Sequence, residues 1–132
     1  MTLLDTNVMV HYLKGDPGIV KRIQSASRGE LAIPTIVVYE LEYGPLRSRF
    51  PARRRRELEA GIAQIQHVPF DSAAALAAAG IRFELEKQGF PIGPLDLLIA
   101  GTALSRGAAL VTNNTAEFSR VSGLRVLDWK ST

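Results

Sequence analysis

Five short apolar runs, separated by stretches long enough for helices, set the architecture open to this chain of 132 residues. Leu3-Leu4 ends at Asp5, and Leu31-Ala32-Ile33 is closed by Pro34. Residues 67–70 read His-Val-Pro-Phe, residues 109–112 Ala-Leu-Val-Thr, and residues 124–127 Leu-Arg-Val-Leu. Apolar runs of this length, bounded by turn residues, read as strands. Between them the pattern predicts helices from about Val8, again from Pro17 to near Gly29, from Thr35 to about Arg49, from Pro51 to Gln66, from Asp71 or Ser72 to about Gln88, and from Leu95 to Arg106. Thr35 is expected to cap its helix with its hydroxyl, and Asp71 or Ser72 to cap a later one. Alternating strands and helices imply an α/β fold, a central parallel sheet flanked by helices. Such sheets bind ligands outside the carboxyl ends of their strands. Asp5 follows one run and Asn113-Asn114 another.

Size and composition narrow the field. One domain over residues 1–132 is expected, since this length buries a core without covalent staples. There is no cysteine, which removes disulfides and thiolate metal sites from consideration and suits a reducing cytoplasm. The first residues, MTLLDTNVMV, lack the basic segment and cleavage site of a secretory signal, and no apolar stretch is long enough to span a membrane. The net charge of +3 is compatible with a polyanionic partner, but on charge alone solubility is the better explanation.

Four acids stand in apolar surroundings. Asp5 ends a strand, where a carboxylate is costly unless it is paired, hydrogen-bonded or bound to a cation; it also reads as a turn or helix-capping aspartate. Glu40 lies in IVVYELEYG, and its helical neighbours are Ile36, Val37, Tyr43 and Gly44. Glu42 competes with it, flanked similarly by Val38, Tyr39 and Leu46, and spacing alone does not separate the two. Asp96, in GPLDLLIAGTAL, falls in the first turn of a helix, where the dipole favours an anion, yet leucines flank it on both sides. Glu117 follows the Asn pair after ALVT, a position where a glutamate is usually solvated. Together these hard oxygen ligands suit Mg²⁺ or Mn²⁺ and metal-assisted phosphodiester hydrolysis.

LLDTN, VVYELEYG, GPLDLLIAGTAL and LVTNNTAEFSRV occur in that order from end to end of the chain. In this it resembles the PIN-domain nucleases, and among them the VapC toxins of bacterial toxin–antitoxin pairs, in the branch that cuts initiator tRNA in its anticodon region. The resemblance implies a PIN fold and an endoribonuclease dependent on Mg²⁺ or Mn²⁺. It carries the family's four acidic positions onto Asp5, Glu40 rather than Glu42, Asp96 and Glu117, where many relatives have Asp. It makes Asp5 and Asp96 the expected metal contacts, with Thr6, Asn7, Thr112 and Asn114 orienting ligands or phosphate. It further implies a homodimer and a cognate VapB-type antitoxin. The antitoxin's C-terminal segment would cross the active-site groove and carry the pair to operator DNA.

The remaining polar residues divide by company. Lys14, Arg47 and Arg49 are candidate RNA contacts. The run Arg53 to Arg56 is better explained as a solvated helix face pairing with Glu57 and Glu59. Tyr12, Tyr39 and Tyr43 can stack on bases, though aromatics at this spacing more often pack in a core or an interface. Trp129 is expected to anchor packing. His11 and His67, the pair a metal-free ribonuclease would need, have no catalytic company. Two rivals remain. A haloacid-dehalogenase-like phosphotransferase would use Asp5 as nucleophile, but it normally has a second Asp where this chain has Asn7. A non-catalytic PIN-like module that binds RNA or protein would have lost the acids.

Overall fold

The computed structural model describes residues 1–131. The five strands are β1 (Thr2–Leu4), β2 (Leu31–Pro34), β3 (Gln66–Val68), β4 (Ala109–Val111) and β5 (Val126–Leu127). The helices are α1 (Thr6–Leu13), α2 (Pro17–Ser25), α3 (Thr35–Leu46), α4 (Pro51–Ile62), α5 (Ser72–Gln88), α6 (Pro94–Ser105) and the single-turn α7 (Thr115–Phe118), and a 3₁₀ turn covers Trp129–Ser131. The strands form one sheet in the order β3-β2-β1-β4-β5, and every pairing is parallel.

The sheet is covered on both faces, as a parallel sheet requires. In β1 and β4, Leu3, Leu4, Leu110 and Val111 are fully buried, and Ile33 joins them from β2. Val37 of α3, Ile99 of α6 and Phe118 of α7 close over them. Trp129 packs half-buried against the same core, the anchoring role expected of it.

Local chemistry explains several helix ends. Asp16 accepts from the amides of Gly18 and Ile19 and starts α2. Asp71, not Ser72, caps α5 through the Ala74 amide at 2.9 Å. Gly89 ends that helix with φ of +80°, a conformation that costs a residue with a Cβ. The expected cap at Thr35 is not formed: α3 has no side-chain cap, with Pro34 before its first turn. The Thr35 hydroxyl instead accepts from the Phe70 amide at 3.2 Å, fastening the segment after β3 to α3. Several bounds also move. α1 begins at Thr6, ahead of Val8, α4 stops at Ile62, and β3 opens at Gln66 and ends before Pro69. Proline lacks the N–H that the ladder uses, so a strand stops readily at this point.

Candidate functional site

Between β1 and β4 the sheet order reverses direction, and this switch point is where an α/β sheet leaves a crevice at its carboxyl edge. Asp5 leaves β1 there and Thr112 leaves β4 beside it. Asp5 is 5% exposed, and both its oxygens are held: Oδ1 accepts from the Thr6 amide at 2.8 Å, Oδ2 from the Thr112 hydroxyl at 2.6 Å. Asp5 thus caps α1, as one reading of it expected, and the same side chain stands at the crevice. Burial pushes its carboxyl above the ordinary range, and Glu40 and Glu117 push the same way, while the bonds from Thr112 and Thr6 pull against them.

Glu40 reaches the same place from α3. Its Oε1 accepts from the Thr6 hydroxyl at 2.6 Å. Glu42, its competitor, turns away toward α4, where Arg55 meets it at 3.4 Å. Asp96 enters from the first turn of α6, half-buried. Desolvation first, and then the charges of Asp5 and Glu117, raise its carboxyl from 3.8 to about 7, with Glu40 adding to the effect. Below about pH 7, without a cation, Asp96 thus keeps a proton, and Glu117 is its hydrogen-bond partner. Glu117 is shifted down, chiefly by the Asn114 side-chain amide, then by the Gly93 amide at 3.0 Å. Asn114 in turn gives its backbone amide to the Thr112 hydroxyl at 3.0 Å. A hydrogen-bonded chain therefore runs from Asp5 through Thr112 and Asn114 to Glu117, and on to the turn that launches α6.

The acids fit a divalent cation by their chemistry. The charges acting most strongly on Asp96 are other carboxylates, an arrangement that repels itself until a cation arrives. Among the described residues no three His, Asp or Glu side chains converge to enclose an ion alone. A divalent cation held here would complete its coordination with water or substrate oxygens.

A groove of about 770 Å³ opens on this centre, lined by Thr6 and Glu40 and continuing past Tyr39, Tyr43, Lys14 and Arg47. Two of the three cations expected near substrate are thus at the groove. Arg49 is not; it stacks on Phe50 at 5.7 Å. Arg54 also lines the groove, although it belongs to the run assigned to a solvated face. Arg53, Arg54 and Arg55 do pair with Glu57 and Glu59 as expected. Asn7 is exposed in the first turn of α1. His67 is exposed on β3, and His11 meets Lys130 at 3.0 Å.

Residues 2–124 match the model of the PIN domain. The chain is 42% identical over 127 residues to a protein of Shigella flexneri named tRNA(fMet)-specific endonuclease VapC, with 96% of each covered. A protein of the same name from Salmonella typhimurium is 37% identical over the same share of each chain. Among solved structures, VapBC2 from Rickettsia felis, bound to a DNA fragment from its promoter, superposes with a TM-score of 0.91 at 31% identity, covering 97% of this chain and 98% of that one. DNA-bound VapBC from Salmonella typhimurium gives 0.91 at 38% identity, covering 98% and 99%.

Proposed function

The chain belongs to the PIN-domain family, within its VapC ribonucleases, and on that premise we propose that it is a metal-dependent endoribonuclease serving as the toxin of a type II toxin–antitoxin pair. The observation that carries the metal-dependent chemistry is the grouping of Asp5, Glu40, Asp96 and Glu117 at the switch point, where burial first and then the neighbouring carboxylates raise Asp96 to about 7. Asp5 and Asp96 would hold Mg²⁺, or Mn²⁺ in its place. When bound, the ion supplies an activated water and neutralises charge on the phosphate. The protein's part is positional. Thr112 and the Thr6 amide fix both oxygens of Asp5, and the Thr6 hydroxyl aims Glu40. Glu40, held through Oε1, would take a proton from the attacking water, and the alkoxide released as the phosphodiester P–O bond breaks would take one from solvent. Asn114 and Glu117 brace the start of α6, so Asp96 keeps its place.

The names of the relatives point to tRNA, and within it to the initiator tRNA(fMet); a cut in its anticodon region is part of the proposal. Two solved neighbours are VapBC complexes on DNA. They support a cognate VapB-type antitoxin; we propose further that its C-terminal segment crosses the groove and that it alone contacts operator DNA. A homodimer acting in the cytoplasm completes this reading. No described helix is long and apolar enough to cross a membrane.

The test is incubation of antitoxin-free protein with total tRNA and Mg²⁺, beside an EDTA control, and mapping of the ends. A discrete, EDTA-sensitive cut in initiator tRNA is expected. Cuts elsewhere would remove the proposed target, and no cut at all would favour the non-catalytic binding module.

A further inference from the structure

α3 leaves two tyrosines in water where its sequence could have buried them. Tyr39 is 61% exposed and Tyr43 54%, while Val37 and Leu41 on the other face are buried. The two lie four residues apart and share one face of the helix with Arg47, four residues further on, so successive members are spaced by about 6 Å along the axis. The Arg47 guanidinium lies over the Tyr43 ring at 4.6 Å from its centroid. Tyr39 directly precedes Glu40, and the whole stripe lines the groove that runs into the acidic centre. Lys14 stands in the same groove, and among the described residues no ion pair engages it.

We propose that Tyr39, Tyr43 and Arg47 form a stacking platform that receives the unpaired bases of single-stranded RNA next to the scissile phosphate, with Lys14 on its backbone. The proposal rests on the ribonuclease reading above and goes further by assigning the base-contacting surface. Three features favour RNA as the occupant. Exposed aromatic faces in register along a helix accept bases whatever their identity. A guanidinium already stacked on a ring extends the same π surface, and it brings a charge that phosphate seeks. Finally, the groove has Glu40 and its Thr6 partner in its wall, so a strand held on the platform runs beside the acidic centre. Stacking requires bases that have left a helix, so the platform selects loops over duplexes.

Binding is measured with cleavage blocked by Asp5→Asn, using a short single-stranded RNA that carries 2-aminopurine, a base whose fluorescence falls on stacking. Tyr39→Ala and Tyr43→Ala are each expected to weaken binding about tenfold and to reduce the quench, whereas Tyr39→Phe and Tyr43→Phe stay within about twofold. In the otherwise wild-type enzyme, the alanine variants raise KM about tenfold and leave kcat in place. Both side chains are exposed, so the melting temperature should not move. Unchanged binding in the alanine variants, while the wild type still cleaves RNA, overturns the platform and leaves the ribonuclease standing. Equal loss with Phe also overturns it, because the hydroxyl rather than the ring face would then carry the contact. A wild type that neither cleaves nor binds RNA overturns both.

Discussion

Asp96 sits where an isolated carboxylate is unfavourable, and this has a measurable consequence. Its carboxyl is raised from 3.8 to about 7, so between those values the folded, metal-free protein holds a proton that the unfolded chain has released. Metal-free stability contributed by this group is therefore greatest at low pH and falls as pH rises toward 7. Asp96→Asn should raise the melting temperature in EDTA by a few degrees at pH 8 and by much less at pH 5; no difference between the two pH values would contradict the assigned burial and repulsion. Glu117→Gln should slow RNA cleavage less than Asp96→Asn, because its oxygens are spent on Gly93 and Asn114; equal losses would make it a full partner in the chemistry. At this scale the sequence was informative about residue type and poor at choosing between neighbours. Asp5 and Asp96 stand out because each is an acid bordered by leucine. Glu40 and Glu42 do not separate, since two positions on a helix differ by more than half a turn yet both meet apolar neighbours. What separates them is the Thr6 hydroxyl, 34 residues away, against Arg55 on α4.

Elements were read from period and punctuation, and these are local. All five strands occur close to where short apolar runs place them; burial on both faces leaves an unbroken hydrophobic signature in β1, β2 and β4, while the edge strands β3 and β5 are more exposed. The Thr35 cap failed because its hydroxyl has a tertiary partner, the Phe70 amide, which local sequence cannot reveal. Close packing of α5 and α6 was equally hidden. A Cβ on Gly101 would stand 2.7 Å from the Ala78 Cβ and 2.8 Å from the Ala74 carbonyl oxygen. The helix that presents Asp96 is thus seated against α5 through a residue with no side chain. Gly101→Ala is expected to destabilise the fold by about 1–3 kcal/mol despite its better helix propensity. Gly80→Ala, in α5 with open space around it, should instead stabilise by about 0.5–1 kcal/mol. Chemical denaturation of the two variants checks both signs, and an equal effect in each would contradict the packing account.

At the scale of the molecule, the order β3-β2-β1-β4-β5 puts the first and fourth strands side by side and so brings together acids that are more than a hundred residues apart in the chain. The rule that parallel sheets bind at their carboxyl ends made this edge the place to look, but not which two strands would meet there. The groove, with its tyrosine stripe, was less legible still, because aromatics at helical spacing mean core more often than surface. A cation bound among the acids relieves their repulsion only in the folded state. Millimolar Mg²⁺ should therefore raise the melting temperature of the wild type, by an amount set by its affinity, and raise that of Asp5→Asn less. The central claim, that this carboxylate cluster carries RNA cleavage, is tested most directly by single-turnover rates with tRNA and Mg²⁺ for Asp5→Asn, Glu40→Gln and Asp96→Asn beside Glu42→Gln. The first three are expected to fall by at least about a hundredfold with the fold intact, while Glu42→Gln cleaves at close to the wild-type rate. Wild-type rates in any of the first three would contradict the account.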